Sequence, residues 1–187
     1  MITIAIVYHS GFGHTEVQAR HVEQGAASVS GVHTELIKAE DLTGQADKLN
    51  RADGIIFGSP TYLGNVSGPF KSFMDSTSDI WFQQQWKDKI AAGFTNSHSI
   101  GGDKLSTLIS MAVFAAQHGM IWVGQTEMNT SPEHQQGHPE AINRSGTMLG
   151  AVASSEDASP EITPPEGDLA TARLFGKRVA EITKRFN

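Results

Sequence analysis

The stretch from residue 2 to residue 15 reads ITIAIVYHSGFGHT and predicts a strand, a loop and the start of a helix. Apolar and β-branched residues up to Tyr8 are typical of a buried strand. The loop from Ser10 to Thr15 contains two glycines and no Lys or Arg. We expect its backbone amides, its hydroxyl groups and the positive end of the helix to hold a phosphate. The stretch alone leaves open a loop that only joins two elements.

The composition excludes several classes of protein. With 187 residues, 39% hydrophobic and 18% charged, residues 1–187 suit a single domain. A net charge of −6 disfavours nucleic acid and anionic membrane as partners. The absence of cysteine excludes disulfides, thiolate metal sites and cysteine nucleophiles, and with them the low-molecular-weight tyrosine phosphatases. No leader pattern or membrane-spanning apolar run occurs, so we expect a cytoplasmic protein without membrane insertion.

Strand and helix patterns alternate along the chain. The predicted strands after the first are 32–38, 52–59, 89–94 and 120–123. The helix near residue 110 is predicted to bury Leu105, Leu108, Ile109, Ala112 and Ala116. This alternation predicts an α/β fold with an open parallel sheet and helices on both faces. Residues 124–167 are too long for an ordinary connection, and we interpret them as an excursion around the last strand that carries part of an interface.

Three loops are predicted to converge on one ligand. Residues 9–15, 60–65 and 95–102 each follow a strand and are rich in Gly, Ser, Thr or Asn. In open parallel sheets ligands bind beyond the carboxyl ends of the strands. A dinucleotide-binding Rossmann loop is excluded because Glu16 stands where its third glycine belongs, and a Walker loop because its Lys is missing. A phosphorelay receiver would need acidic residues where His9-Ser10 and Ser59 stand.

Three motifs carry a resemblance to a known family. Residues 8–15 (YHSGFGHT), 58–68 (GSPTYLGNVSG) and 117–120 (QHGM) resemble the Trp-repressor-binding-protein type of NAD(P)H:quinone oxidoreductase, and Trp81 lies in a further similar segment. The resemblance implies a flavodoxin-like open five-stranded parallel sheet of order 2-1-3-4-5. It also implies FMN as cofactor, NAD(P)H as electron donor, quinones as acceptors and a homo-oligomer, usually a dimer or tetramer.

The resemblance also implies roles for individual residues. His118 matches a catalytic histidine that faces the substrate cavity or comes from a partner subunit, and Phe12 and Trp81 would border the nicotinamide or quinone. The implied FMN-binding residues are Ser10, Gly11, Phe12, Gly13, His14, Thr15, Pro60, Thr61, Tyr62, Leu63, Gly64, Asn65, Asn96, Ser97, His98, Ser99, Ile100, Gly101 and Gly102.

The sequence also departs from the family pattern. Tyr62-Leu63 stands where many members have Arg-Phe, and His98 and Ile100 replace two glycines of the third loop. Two other functions therefore stay open: a one-electron carrier flavodoxin and a flavin-free interaction module. Carriers usually surround FMN with carboxylates, and the three loops contain none. His134 and His138 have a metal-ligand spacing, but the prolines and glycine around them predict a loop, and we predict no metal site.

Overall fold

A computed structural model describes residues 1–42 and 44–187 and contains one twisted sheet. The strands are β1 (Ile2–Tyr8), β2 (Val32–Lys38), β3 (Gly54–Tyr62), β4 (Asn65–Val66), β5 (Ile90–Ser97), β6 (Ile121–Trp122) and β7 (Ala151–Ser154). The main path of the sheet is β2-β1-β3-β5, all parallel, and the position beyond β5 is shared by β6 and β7. The short β4 pairs with β3 in the antiparallel direction.

Helices cover both faces of the sheet, so the predicted α/β class is confirmed. The helices are α1 (His14–Ala27), α2 (Gly68–Asp75), α3 (Ser78–Phe82), α4 (Lys104–Gln117) and α5 (Glu166–Phe186), and 3₁₀ turns span Ala39–Leu42 and Ala46–Arg51. One core cluster packs beneath α1 and α5, and the other beneath α2, α3 and α4. Among the described residues, no helix has the length and apolar character needed to cross a membrane.

The fifth strand position differs from the prediction of a single strand at 120–123. β6 pairs with Ile90 and Ala91 at the start of β5, whereas β7 pairs with residues 94–97 at its end. Residues 123–150 are inserted between the two halves, so β7 adds a sixth strand to the five predicted, and the short β4 adds a seventh. The small residues of β7 gave no strand signal within a segment rich in Gly, Pro and Ser. Its placement delivers the following residues to the carboxyl edge of the sheet.

Pro60 does not end its strand, contrary to the prediction. β3 continues through Pro60, which pairs with Asn96, and ends at Tyr62. The carbonyl of Gly58 accepts the N–H of His9, so the backbone of Pro60, two residues later, faces the same side. β1 has already ended there, and the missing N–H of proline therefore leaves no ladder bond unmade.

The buried face of α4 was predicted only in part: Leu108 is buried as expected. Leu105 and Ile109 are about half exposed, whereas Leu108, Met111 and Ala115 are fully buried. The helix carries apolar residues around most of its circumference and no charged residue between 105 and 117. Periodicity alone could therefore not fix which stripe meets the sheet.

Candidate active site

A cavity of about 640 Å³ lies where β1, β3, β5 and β7 end. The register of the parallel strands places the three predicted loops side by side at this edge. The volume falls within the range of small-molecule and cofactor sites. The sequence-predicted residues that line it are Ser10, Phe12, His14, Thr15, Pro60, Thr61, Tyr62, Asn96, Ser97 and His98.

The loop between β1 and α1 presents a row of free backbone donors. The N–H groups of residues 11–15 donate to no acceptor among the described residues. Ser10 Oγ accepts the N–H of Glu16 at 3.1 Å, which holds the loop against the first turn of α1. Gly13 has a left-handed φ of 91°, so the loop depends on a glycine there. Consecutive free amides at a helix N-terminus form an anion site that fits a phosphate group.

The second wall is a hairpin formed by β3 and β4. Leu63 and Gly64 make its two-residue turn, with φ values of 48° and 80°. Thr61 anchors the hairpin from below, since its Oγ1 lies 2.8 Å from the hydroxyl oxygens of both Thr95 and Thr107.

Tyr62 extends from this hairpin over the phosphate loop. Its ring meets that of Phe12 edge to face, with centroids 6.4 Å apart. A Cβ on Gly11 would lie 2.6 Å from the Tyr62 hydroxyl oxygen, so the tyrosine closes on the loop only because residue 11 is glycine. Phe12 itself is 75% exposed. The two rings form an apolar rim to the cavity.

The opposite wall joins β5 to β7. Asn96 Nδ2 donates to Ser155 Oγ at 2.8 Å, and the N–H of Ser155 donates to the carbonyl of Ser97 at 3.1 Å. Asn96 and Ser155 are both buried. Their side chains tie the third predicted loop to the segment that follows β7.

That segment, residues 155–158, is a fourth wall that sequence reasoning missed. Ser155, Glu156, Asp157 and Ala158 line the cavity, and His14 Nε2 lies 2.8 Å from the carbonyl oxygen of Ala158. The available signal was a run of small residues followed by the polar loop SSED, the strand-then-loop pattern of the other three walls. Because Glu156 and Asp157 reach the cavity, its surroundings do contain carboxylates.

The other predicted residues lie beside the lining or away from it. Trp81 is on the surface of α3, 44% exposed and outside the cavity lining. The predicted cofactor-binding residues that lie in the three loops without lining the cavity are Gly11, Gly13, Leu63, Gly64, Asn65, Ser99, Ile100, Gly101 and Gly102.

His118 does not line the cavity of its own chain, and the alternative, that it serves the cavity of a partner subunit, stays a prediction. α4 begins at the cavity edge and runs for 14 residues, about 20 Å, before it reaches His118. There the imidazole is 1% exposed, stacks on Trp86 with centroids 4.5 Å apart, and has Nε2 3.0 Å from Thr77 Oγ1. Burial lowers the pKa of His118 to about 4. These features describe a neutral core histidine.

Comparison with known proteins identifies the family. Residues 9–135 match the profile of the family described as NADPH-dependent FMN reductase. The chain belongs to this family. It is 40% identical to flavodoxin FldP of Pseudomonas aeruginosa over the full length of both chains. It is 34% identical to an NAD(P)H dehydrogenase (quinone) of Acidithiobacillus ferrooxidans, covering 99% of this chain and 98% of that one.

A solved structure extends the likeness to the fold. A WrbA-like flavodoxin from Agrobacterium tumefaciens superposes with a TM-score of 0.73 at 36% identity, over the full length of both chains. The predicted flavodoxin-like fold and the family resemblance are thereby confirmed. Family membership points to FMN as the cofactor and to NAD(P)H as the electron donor. The free amides of residues 11–15 and the adjoining cavity fit that group.

Proposed function

We propose that the protein is an FMN-dependent oxidoreductase that transfers two electrons from NAD(P)H to quinones. The observation that carries the proposal is one cavity that combines a row of free backbone amides, which fits a phosphate, with an exposed aromatic rim beside it. The relatives described as NAD(P)H dehydrogenase (quinone), which match over nearly their whole length, support it.

Residues of the four walls would divide the work of holding the cofactor. The amides of residues 11–15 and the Ser10 hydroxyl would bind the phosphate, and Asn96 and Ser97 would meet the polar part of the flavin. When bound, FMN would supply the redox chemistry: a hydride from the nicotinamide provides two electrons and one proton, and a second proton from water completes the conversion of a quinone to a hydroquinone. The protein needs no nucleophile for this reaction.

The aromatic rim is the proposed substrate platform. Phe12 is largely exposed and Tyr62 partly so, and both lie at the mouth of the cavity. A nicotinamide or quinone ring packed against these side chains would be held by apolar and aromatic contacts. Because donor and acceptor would use the same place in turn, we expect ping-pong steady-state kinetics.

Anaerobic stopped-flow absorbance tests the proposal. Purified protein loaded with FMN is mixed first with NADH or NADPH and then with a water-soluble benzoquinone. We expect the flavin to bleach without any added reductase and to recover its colour at a rate set by the quinone concentration. A protein that binds FMN but is not reduced by either nicotinamide contradicts the proposal.

A second candidate, a one-electron carrier flavodoxin, is favoured by one observation. Glu156 and Asp157 place two carboxylates at the cavity, and carboxylates oppose the gain of negative charge by a neighbouring flavin. The similarity to flavodoxin FldP points the same way. Spectroelectrochemical titration separates the two candidates. Two resolved one-electron steps, with no reduction by nicotinamides, support the carrier, whereas one two-electron step supports the reductase.

A homo-oligomer is also part of the proposal, and the exposed face of α4 supports it. Leu105, Ile109 and Val113 form a stripe at four-residue spacing, each about half exposed, on a helix without charged residues after Lys104. A second copy presents an equally neutral face and meets no like charge there. In light scattering, Ile109→Asp should dissociate the assembly, whereas Leu174→Asp, the same change on α5, should not. A wild-type monomer at micromolar concentration contradicts this part.

The cytoplasmic location stays a prediction.

A further inference from the structure

Lys104, the first residue of α4, is a buried ammonium group that the proposed reaction does not use. The residue is 2% exposed. Its Nζ donates to the carbonyl oxygens of Ser99 and Ile100 and, at 3.1 Å, to the hydroxyl of Ser154. All three donors of the ammonium are therefore satisfied by neutral oxygens.

These bonds fix the direction of the peptide groups in the loop from Ser97 to Asp103. In a trans peptide the carbonyl and the following N–H point in opposite directions. With the carbonyls of Ser99 and Ile100 turned onto the ammonium, the N–H groups of Ile100 and Gly101 point away from it. Neither N–H donates to an acceptor among the described residues. The lysine thus holds two free amide donors on the outer side of this loop.

The ammonium also lies directly behind the cavity wall. A Cβ on Gly102 would lie 2.5 Å from Ser97 Oγ and 3.5 Å from Lys104 Nζ, so the two groups are neighbours. On the other side Ser154, which the lysine contacts, precedes the cavity-lining Ser155. One layer of small side chains therefore separates the charge from the cavity.

A buried ion pair lies close to Lys104, but its carboxylate is already matched by an arginine. Arg144 and Asp168 form a two-pronged ion pair at 2.8 Å, and Asp168 also accepts the N–H of Ser154. Asp168 is thus paired with the arginine and makes no direct contact with Lys104. Burial lowers the pKa of Lys104 to about 8, so the group is still mainly protonated at neutral pH. The cluster of two cations and one carboxylate has a net charge of +1.

We propose that Lys104 is a positioning residue for the flavin: it orients the amides of the Ser97–Asp103 loop and places an unneutralised positive charge behind the cavity wall, which favours the reduced flavin over the oxidised one. The proposal rests on FMN binding, as the proposed function does. Charge acts strongly here because it is buried among protein groups, where screening by water is weak.

Two variants separate the two parts of the proposal. Lys104→Gln removes the charge but keeps an N–H donor for the loop carbonyls, whereas Lys104→Met removes both. Lys71→Met is the control, because Lys71 is exposed and pairs with Asp75 on the surface of α2. Lys104→Arg keeps the charge and should restore most of the wild-type behaviour.

The measurements are FMN affinity by fluorescence titration and midpoint potential by dye-coupled spectroelectrochemistry. Both Gln and Met should lower the preference for reduced over oxidised flavin at least tenfold, which for a two-electron couple is a downward shift of about 30 mV. Only Met should also weaken the binding of oxidised FMN, because it alone releases the loop amides. Lys71→Met should change neither the potential nor the affinity.

The outcomes separate failure of this proposal from failure of the function. A wild-type protein that does not bind FMN removes the proposed function. Wild-type binding with an unchanged potential in Lys104→Gln overturns the proposal for Lys104 alone. If Gln and Met variants both fail to fold, the lysine serves the fold and the proposal is overturned as well.

Discussion

The two ends of α4 carry the two basic side chains whose pKa values burial lowers most, and they have opposite relations to the cavity. Lys104 at the first end is bonded to loop carbonyls and lies behind the cavity wall. His118 just beyond the other end is stacked on Trp86 and lies far from it. The histidine stands in a recognisable motif and the lysine does not. Position relative to the carboxyl edge of the sheet, rather than residue type, decides which group can act on a ligand.

The largest effect is expected from breaking the buried ion pair between Arg144 and Asp168, which lies close to the cavity end of α4, where Lys104 stands. Asp168→Asn would leave Arg144 buried without its carboxylate and would replace one of the two acceptor oxygens, which face Arg144 and the N–H of Ser154, by an NH2 donor. We expect a loss of about 3–5 kcal/mol in the free energy of unfolding. Urea denaturation of the protein without FMN measures it.

The matched control is Asp75→Asn, which removes one partner of the exposed Lys71–Asp75 pair. Such surface pairs contribute less than about 1 kcal/mol. Equal destabilisation by the two variants would mean that the Arg144–Asp168 pair does not support the cavity end.

The next prediction concerns His118, at the other end of α4, and the pH dependence of the free energy of unfolding. The pKa of His118 is lowered to about 4 in the folded protein, so the unfolded chain binds a proton more readily. The stabilisation of the neutral imidazole is fully present above pH 6.5 and is lost as the pH falls from 6.5 towards 4. At one pKa unit per 1.36 kcal/mol, this loss is about 3 kcal/mol.

Urea titrations at several pH values check this. His118→Gln, which does not titrate, should remove that part of the slope, whereas His33→Gln, a change at the half-exposed surface of β2, should leave it. An unchanged slope in His118→Gln would show that another group is responsible. In the His118→Gln variant, quinone turnover at neutral pH should fall only in proportion to the fraction of protein that is folded.

Much of this arrangement follows from sequence, and the exceptions have physical causes. The strand, loop and helix at residues 2–15 were predictable because glycines and a buried run leave few alternatives. The four-stranded parallel path and the flavodoxin-like fold were also predicted correctly. β7 was not, because its pairing with β5 comes from a segment 57 residues later with no alternation of its own. That His118 does not line the cavity of its own chain could not be predicted, because a motif gives no distance along a helix.

The candidate site likewise has features that the sequence predicts and features that it does not. The three predicted loops meet at one cavity because the carboxyl ends of parallel strands share an edge. Glu156 and Asp157 were missed because only β7 brings them there. Lys104 was missed because neither its burial nor its bonds to Ser99 and Ile100 can be derived from the local sequence.

A third prediction sharpens the account of the phosphate loop. Gly13→Val would force a β-branched residue into a φ of 91° and place its Cβ 2.9 Å from Pro160 Cγ. The collision is therefore with Pro160, two residues beyond the fourth wall. We expect FMN affinity to fall about a hundredfold, an effect of about 2.7 kcal/mol, because the row of amides would be displaced.

Fluorescence titration with FMN measures the loss. Gly68→Ala is the control, since a Cβ at Gly68 meets no atom within 4 Å and its φ is not left-handed. Wild-type affinity in Gly13→Val would show that the phosphate binds elsewhere.

The smallest effect is expected from the carboxylates of the fourth wall. The double change Glu156→Gln and Asp157→Asn removes two negative charges that line the cavity but are exposed to solvent. Its effect on the flavin potential should be opposite in sign to that of Lys104→Gln, because the removed charges oppose reduction. The change in the relative affinity for reduced over oxidised flavin should be less than tenfold. It should shrink further at high salt, since exposed charges are screened.

The same changes at Glu133 and Asp47, both exposed and outside the cavity lining, should have no effect. A larger, salt-independent effect at Glu156 and Asp157 would mean that these carboxylates contact the flavin directly, and would favour the one-electron carrier over the quinone reductase.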